Sequence, residues 1–199
     1  MEQDYTLRKG LGWFIAANAI PLGVELLRLM VGSIVPLDIM LAIAAVILLY
    51  RSLSWLREFH RDYGLAFQCL LCNIGVKVAA IILAILWLGK LLPGTLFLWA
   101  DILLEVVAAP VLNCLEIYYV LRGTRTLTEE AGYVKLAHFG LAVRRVYMVS
   151  TVLQIAYQIL GSLFEHTYIV NVSLALTGIS FVCMILGFVF LFRAWRRLE

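Results

Sequence analysis

Six apolar blocks, each long enough to cross a bilayer, take up most of this chain and limit its fold more than any other feature. A helix needs about twenty apolar residues to span the hydrocarbon core. Within that core only helices and closed barrels satisfy their own backbone polar groups. The blocks run from about Gly10 to Gly32, Pro36 to Leu56, Gly64 to Leu88, Thr95 to Leu121, Gly140 to Leu163 and Tyr168 to Phe192. Their apolar residues are continuous rather than alternating, so the blocks read as helices. Composition agrees: 63% of the 199 residues are hydrophobic and 15% charged, against roughly half and a quarter in soluble domains. No linker, low-complexity tract or large charged segment divides the chain. The expectation is a single all-α membrane domain over residues 1–199, a polytopic bundle of six transmembrane helices in three hairpins.

The basic residues orient that bundle. Arg8 and Lys9 precede the first block, and Arg51, Arg57 and Arg61 follow the second. Arg122, Arg125 and Lys135 follow the fourth, Arg144 and Arg145 stand at the foot of the fifth, and Arg193, Arg196 and Arg197 follow the sixth. This places 13 of the 16 Lys and Arg residues on one side. The positive-inside rule makes that side cytoplasmic, with both termini there, and the cell membrane is the expected location. Ala17-Asn18-Ala19 resembles a signal-peptidase site, but the apolar stretch before it is short and the leader would carry Glu2 and Asp4. The first block is therefore expected to be retained as a span. A net charge of +3 is accounted for by topology and by anionic lipid of the inner leaflet, so no nucleic-acid partner is expected. The segment Arg122 to His138 mixes Arg, Glu and Lys as a solvated turn does.

Internal resemblances run through the hairpins. Gly10-Leu11, Gly64-Leu65 and Gly140-Leu141 open the odd spans, and each even span ends in an apolar-then-basic stretch. A triplicated hairpin would give this pattern, and so would any helical hairpin with inside termini. Pro21 and Pro110 fall within the first and fourth spans. Each removes a backbone donor and crowds the carbonyl one turn back. Such breaks line binding sites in transporters and elsewhere simply shape the bundle.

Depth along the helices singles out Lys77. It lies thirteen residues from Gly64, close to the midplane at about 1.5 Å per residue. A charge there needs a partner or a wet cavity. Asp101 and Glu105 enter from the other side on the fourth span, with Glu105 at comparable depth. An i, i+4 pair shares one helix face, so Lys77 is expected against both. That trio is either a structural interhelical ion pair or the floor of a solute site. Glu25 with Arg28, Asp38, the one-turn pair Gln154 and Gln158, Glu165, His166 and Asn171 add polar groups to the outer half of the other spans. Acidic members outnumber basic ones, which favours a cationic or zwitterionic solute.

Cys69 and Cys72 form a C-x-x-C on the third span, and Cys114 and Cys183 lie at similar depth. Four thiolates could gather a soft metal. Free cysteine in a helix is more often a small buried hydrophobe, so no metal or other cofactor is expected. No H-E-x-x-H, G-x-S-x-G or Walker motif is present, and no His shares the depth of a Ser or Cys nucleophile. Catalytic residues are accordingly not assigned, and an enzyme is the least favoured class. Asn113, Glu116, Tyr118 and Tyr119 read as interfacial anchors and helix contacts. The expected function is that of a small carrier or membrane-embedded solute-binding subunit with an outward-facing polar cavity. Lys77, Asp101 and Glu105 would be its floor, and Glu25, Gln154, Gln158 and Asn171 its walls. The alternative is a non-transporting assembly or regulatory subunit packed on a partner membrane protein.

Overall fold

The computed structural model describes the backbone of residues 2–31, 35–163 and 169–198, and the side chains of 6–21, 23–24, 39–160, 176 and 178–198. Among the described residues there is no strand, and the chain forms six helices. These are α1 (Glu2–Val31), α2 (Val35–Leu56), α3 (Arg61–Leu88), α4 (Gly94–Glu130), α5 (Val134–Leu163) and α6 (Ile169–Arg197). Four stretches are long and apolar enough to cross a membrane: Ile39–Leu56, Arg61–Leu88, Gly94–Glu130 and Gly178–Arg197. The chain is thus a membrane-embedded helical protein.

Helices replace much of the connecting chain at the basic end. The segment read as a solvated turn from Arg122 to His138 is helical except at 131–133. Apolar block length could not reveal this, because the extension is amphipathic. Its inner face buries Gly123, Thr124 and Thr128, while Arg125 Nη2 and Glu129 Oε2 pair at 3.0 Å across one turn. Gly132 then ends α4 with φ +83°, a left-handed conformation that costs a residue with a Cβ. Tyr133 N–H donates to the Thr128 carbonyl at 2.9 Å across that turn, closing the helix as a Schellman cap does.

Each helix packs on the next, and α6 returns to α1. The pairs α1–α2, α3–α4 and α5–α6 form three close hairpins, and the α2–α3 and α6–α1 seams are slighter. The hydrophobic core gathers at the basic end. Leu11 and Phe14 of α1 meet Leu53 and Leu56 of α2, Tyr63 and Phe67 of α3, Val120 and Leu121 of α4, Val143 of α5, and Phe190 and Leu191 of α6.

Glycine lets two of the hairpins close there. A Cβ on Gly10 would fall 2.8 Å from the Leu56 side chain, and one on Gly140 would fall 2.5 Å from the Phe190 ring. Gly64 breaks the pattern, since nothing lies within 4 Å of its Cβ position. In the α3–α4 hairpin the close approach moves to the partner helix, where a Cβ on Gly123 would fall 3.3 Å from the Tyr63 ring. Polar bonds fasten the same region. Ser52 Oγ donates to the Gly10 carbonyl at 2.8 Å, and the Tyr63 and Thr124 hydroxyls lie 2.9 Å apart. Arg122 Nε meets the buried Asp62 carboxylate at 3.3 Å.

Candidate functional site

Helix α4 changes character about two turns before Pro110. From Ile102 to Ala108 it widens into a π-helical stretch, and the Ala109 N–H bonds to the Leu104 carbonyl five residues back. Pro110 accounts for the change. It has no N–H to offer the Val106 carbonyl and its ring crowds that oxygen. Widening the preceding turn relieves the crowding, as π-bulges do. Glu105 sits in the middle of the widened segment.

There its Oε2 forms an ion pair with Lys77 Nζ of α3. The pair is not sealed: the Lys77 side chain is 53% exposed and that of Glu105 34%. Both line a cavity of about 1060 Å³. Asp101 lies one turn away, does not line this cavity, and is joined to Lys77 by no ion pair among the described residues. The expected trio is therefore a pair with Asp101 as a bystander.

The remaining walls come from several helices. On α5, Tyr147, Thr151, Gln154 and Gln158 follow one another at helical spacing along one face, with Ser150 beside them. Ser180 of α6 donates to Gln154 Oε1 at 2.8 Å, and its hydroxyl lies 3.1 Å from that of Ser150. Asn73 stands one turn before Lys77 on α3, and its buried Oδ1 has no hydrogen-bond partner among the described residues. Asn113 of α4 completes the polar lining, and Pro21 and Pro110 both face the cavity. Toward the basic end, Tyr147 and Met184 also border an apolar void of about 30 Å³ lined by Phe14, Leu121 and Leu191. The core closes the cavity from that side.

The structure thus brings together Lys77, Glu105, Gln154 and Gln158. Glu25, Arg28, Asp38, Glu165, His166 and Asn171 lie outside the residues whose side chains are described. No described residue of α2 lines the cavity. Among the described lining residues Lys77 and Glu105 are the only charged groups, so the described part of the wall is charge-balanced.

Sequence reasoning misses Asn73, Asn113, Tyr147, Ser150, Thr151 and Ser180. The signal for the α5 residues is present in the 147, 151, 154 and 158 spacing, a polar stripe along a span. Asn113 is a cavity residue rather than an interfacial anchor. Glu116, read with it as an interfacial contact, is 2% exposed and is in no ion pair among the described residues. Tyr118 does behave as a helix contact, stacking edge-on with Tyr119 at 5.4 Å beneath the Arg144 guanidinium at 5.0 Å.

The cysteines are not brought together. No group of three or more His, Cys, Asp or Glu side chains could hold a metal among the described residues. Cys114 and Cys183 are buried, Cys69 is half-buried and Cys72 exposed. Cys114 Sγ instead packs 3.5 Å from Met148 Sδ. No family model matches the chain, and neither a curated protein nor a solved structure does.

Proposed function

We propose that this protein is a small transporter, or the membrane-embedded solute-binding subunit of one, whose site is the cavity beside the π-helical turn of α4. The observation that carries this reading is the open Lys77–Glu105 pair. An interhelical charge pair that only held two helices together needs no polar cavity beside it, whereas this one forms part of the wall of a cavity of about 1060 Å³. That volume is at the upper end of what small-molecule sites occupy. An unpaired Asn73 oxygen, a face of amides and hydroxyls and two helix-breaking prolines share the wall. A non-transporting subunit has no need of such a wall.

The balanced charge of the described lining favours a zwitterionic solute. Lys77 and Glu105 present opposite charges side by side, so a carboxylate and an ammonium on one small molecule could engage both. In this reading all six helices span the membrane, with both termini on the cytoplasmic side of the cell membrane and the cavity opening outward. Helix α5 then owes its modest apolarity to the polar stripe that faces the cavity rather than lipid. The arrangement of 13 basic residues at one end supports the orientation.

The test is uptake of zwitterionic, cationic and anionic amino acids into vesicles bearing the protein. Lys77→Ala and Glu105→Ala are each expected to lower zwitterion uptake at least about tenfold, the loss of one charge-assisted contact, with folded yield maintained. If both variants lose folded protein equally and the double variant recovers it, the pair is structural and the reading fails. Labelling checks the outward opening independently. In a cysteine-free background, Gln158→Cys should react with a membrane-impermeant thiol reagent added outside, and Ile82→Cys on the apolar face should not.

A further inference from the structure

A second cavity, of about 900 Å³, lies at the opposite end of the bundle from the Lys77 cavity. It is a cleft between the α4–α5 turn and the end of α6. Lys135, Arg193, Arg196 and Arg197 line it together with Tyr133 and Phe139. No carboxylate lines it among the described residues. Two of its guanidinium groups are held over aromatic rings of the same cleft: Arg193 over Phe139 at 5.8 Å and Arg197 over Tyr133 at 5.6 Å. Such stacking fixes the plane of the group while its N–H edge stays free to donate.

Positive-inside bias explains why basic residues collect at this end, but not how these four are arranged. Elsewhere at the same end Arg122 is spent on Asp62 and Arg125 on Glu129, while Arg57 and Arg144 lie singly over Phe67 and Tyr118. Arg51, Arg61 and Arg145 are exposed and line no described cavity. Among the described residues, the cleft at the α6 terminus gathers four cations, none in an ion pair, whereas a smaller cavity beside α1 is lined by two, Arg8 and Lys9. The geometry points to a binding site for the phosphate of an anionic phospholipid. A lipid rather than a soluble phosphate ester is favoured by the cleft's apolar flank. Val134 in its wall is 53% exposed, and Phe192, under the Arg196 guanidinium at 5.9 Å, is 46% exposed, a surface on which acyl chains can lie while the headgroup enters the cleft. The planar donor forks of three arginines match phosphate oxygens, and basic clefts of this kind recognise lipid headgroups at the cytoplasmic face.

The full-length protein in nanodiscs supplies the test. Retention of phosphatidylglycerol is compared with that of phosphatidylcholine, and thermal stabilisation is measured alongside. The wild type should prefer phosphatidylglycerol. Arg193→Gln/Arg196→Gln/Arg197→Gln should weaken that preference at least about tenfold, since each cation near an anionic lipid is worth a several-fold effect. The control Arg51→Gln/Arg61→Gln/Arg145→Gln removes the same charge from the same end and should leave most of the preference intact. Equal loss in the two triple variants, or no preference in the wild type, overturns the site. Equal stabilisation by millimolar glycerol phosphate overturns the lipid assignment. Should the Gln variant fold poorly, Arg193→Lys/Arg196→Lys/Arg197→Lys keeps the charge and loses the forks. It should bind several-fold more weakly, and unchanged binding would again overturn the site.

Discussion

The two ends of the bundle solve different problems with the same six helices. At the basic end, Leu11, Phe14, Tyr63, Leu121 and Phe190 are buried to within a few per cent, and glycines let neighbouring helices touch. In the half that holds Lys77, the helices separate around a polar cavity, and the side chains between Ile81 and Leu98 are mostly exposed to where lipid would lie. The difference places rigidity and openness in separate parts of the molecule. A clamp of tight contacts can hold the helices together at one end while leaving room for a cavity beyond it, as the proposed solute site requires.

Substitutions can break this contrast in graded steps. The largest effect is expected from Phe190→Ala, which empties the centre of the clamp. A buried Phe→Ala change costs about 3–5 kcal/mol, to be read as a drop in thermal or denaturant stability of the purified protein. Overpacking comes next. Gly140→Ala sets a Cβ 2.5 Å from the Phe190 ring and should cost about 1–3 kcal/mol, while Gly64→Ala, with open space at its Cβ, should be neutral or slightly stabilising. If the two alanine variants melt alike, the clamp is looser than its geometry implies. The smallest stability change belongs to the open half. Replacing the charge pair by Lys77→Met with Glu105→Gln should shift stability by no more than about 1 kcal/mol, because a partly exposed pair contributes little. A larger loss would mean that the cavity wall, and not only the basic end, holds the bundle.

Much of this layout is legible in the amino-acid sequence, and the gaps have identifiable causes. Counting residues from helix ends brings Lys77 and Glu105 to one depth, and an i, i+4 spacing puts Gln154 and Gln158 on one face, because helix geometry alone determines both. The six helices and their hairpin order follow from block length. Asp101 is overcounted because sharing a face with Glu105 does not give it the same reach. Ser150, Thr151 and Ser180 escape notice since small hydroxyl residues in a span usually bond to their own backbone, as Thr151 does to the Tyr147 carbonyl at 2.9 Å. The helical extension beyond Leu121 is hidden because hydropathy stops where the membrane does, whereas amphipathic packing continues to Glu130.

The π-helical stretch of α4 also has a consequence for how the gene could tolerate change. Residues 102–108 hold one more residue than an α-helix of that length would need. Removing Leu103, which is exposed, would return the stretch to α spacing and leave Gly94–Asp101 and Ala109–Glu130 in their present rotation. A deletion in either flanking segment would instead turn everything beyond it by about 100°, the angle per residue of an α-helix. The deletion would also restore the clash that the wide turn relieves at Pro110, so it is viable only beside Pro110→Ala. Proline and surplus residue therefore form a linked pair of sequence characters: where one is lost, the other should follow.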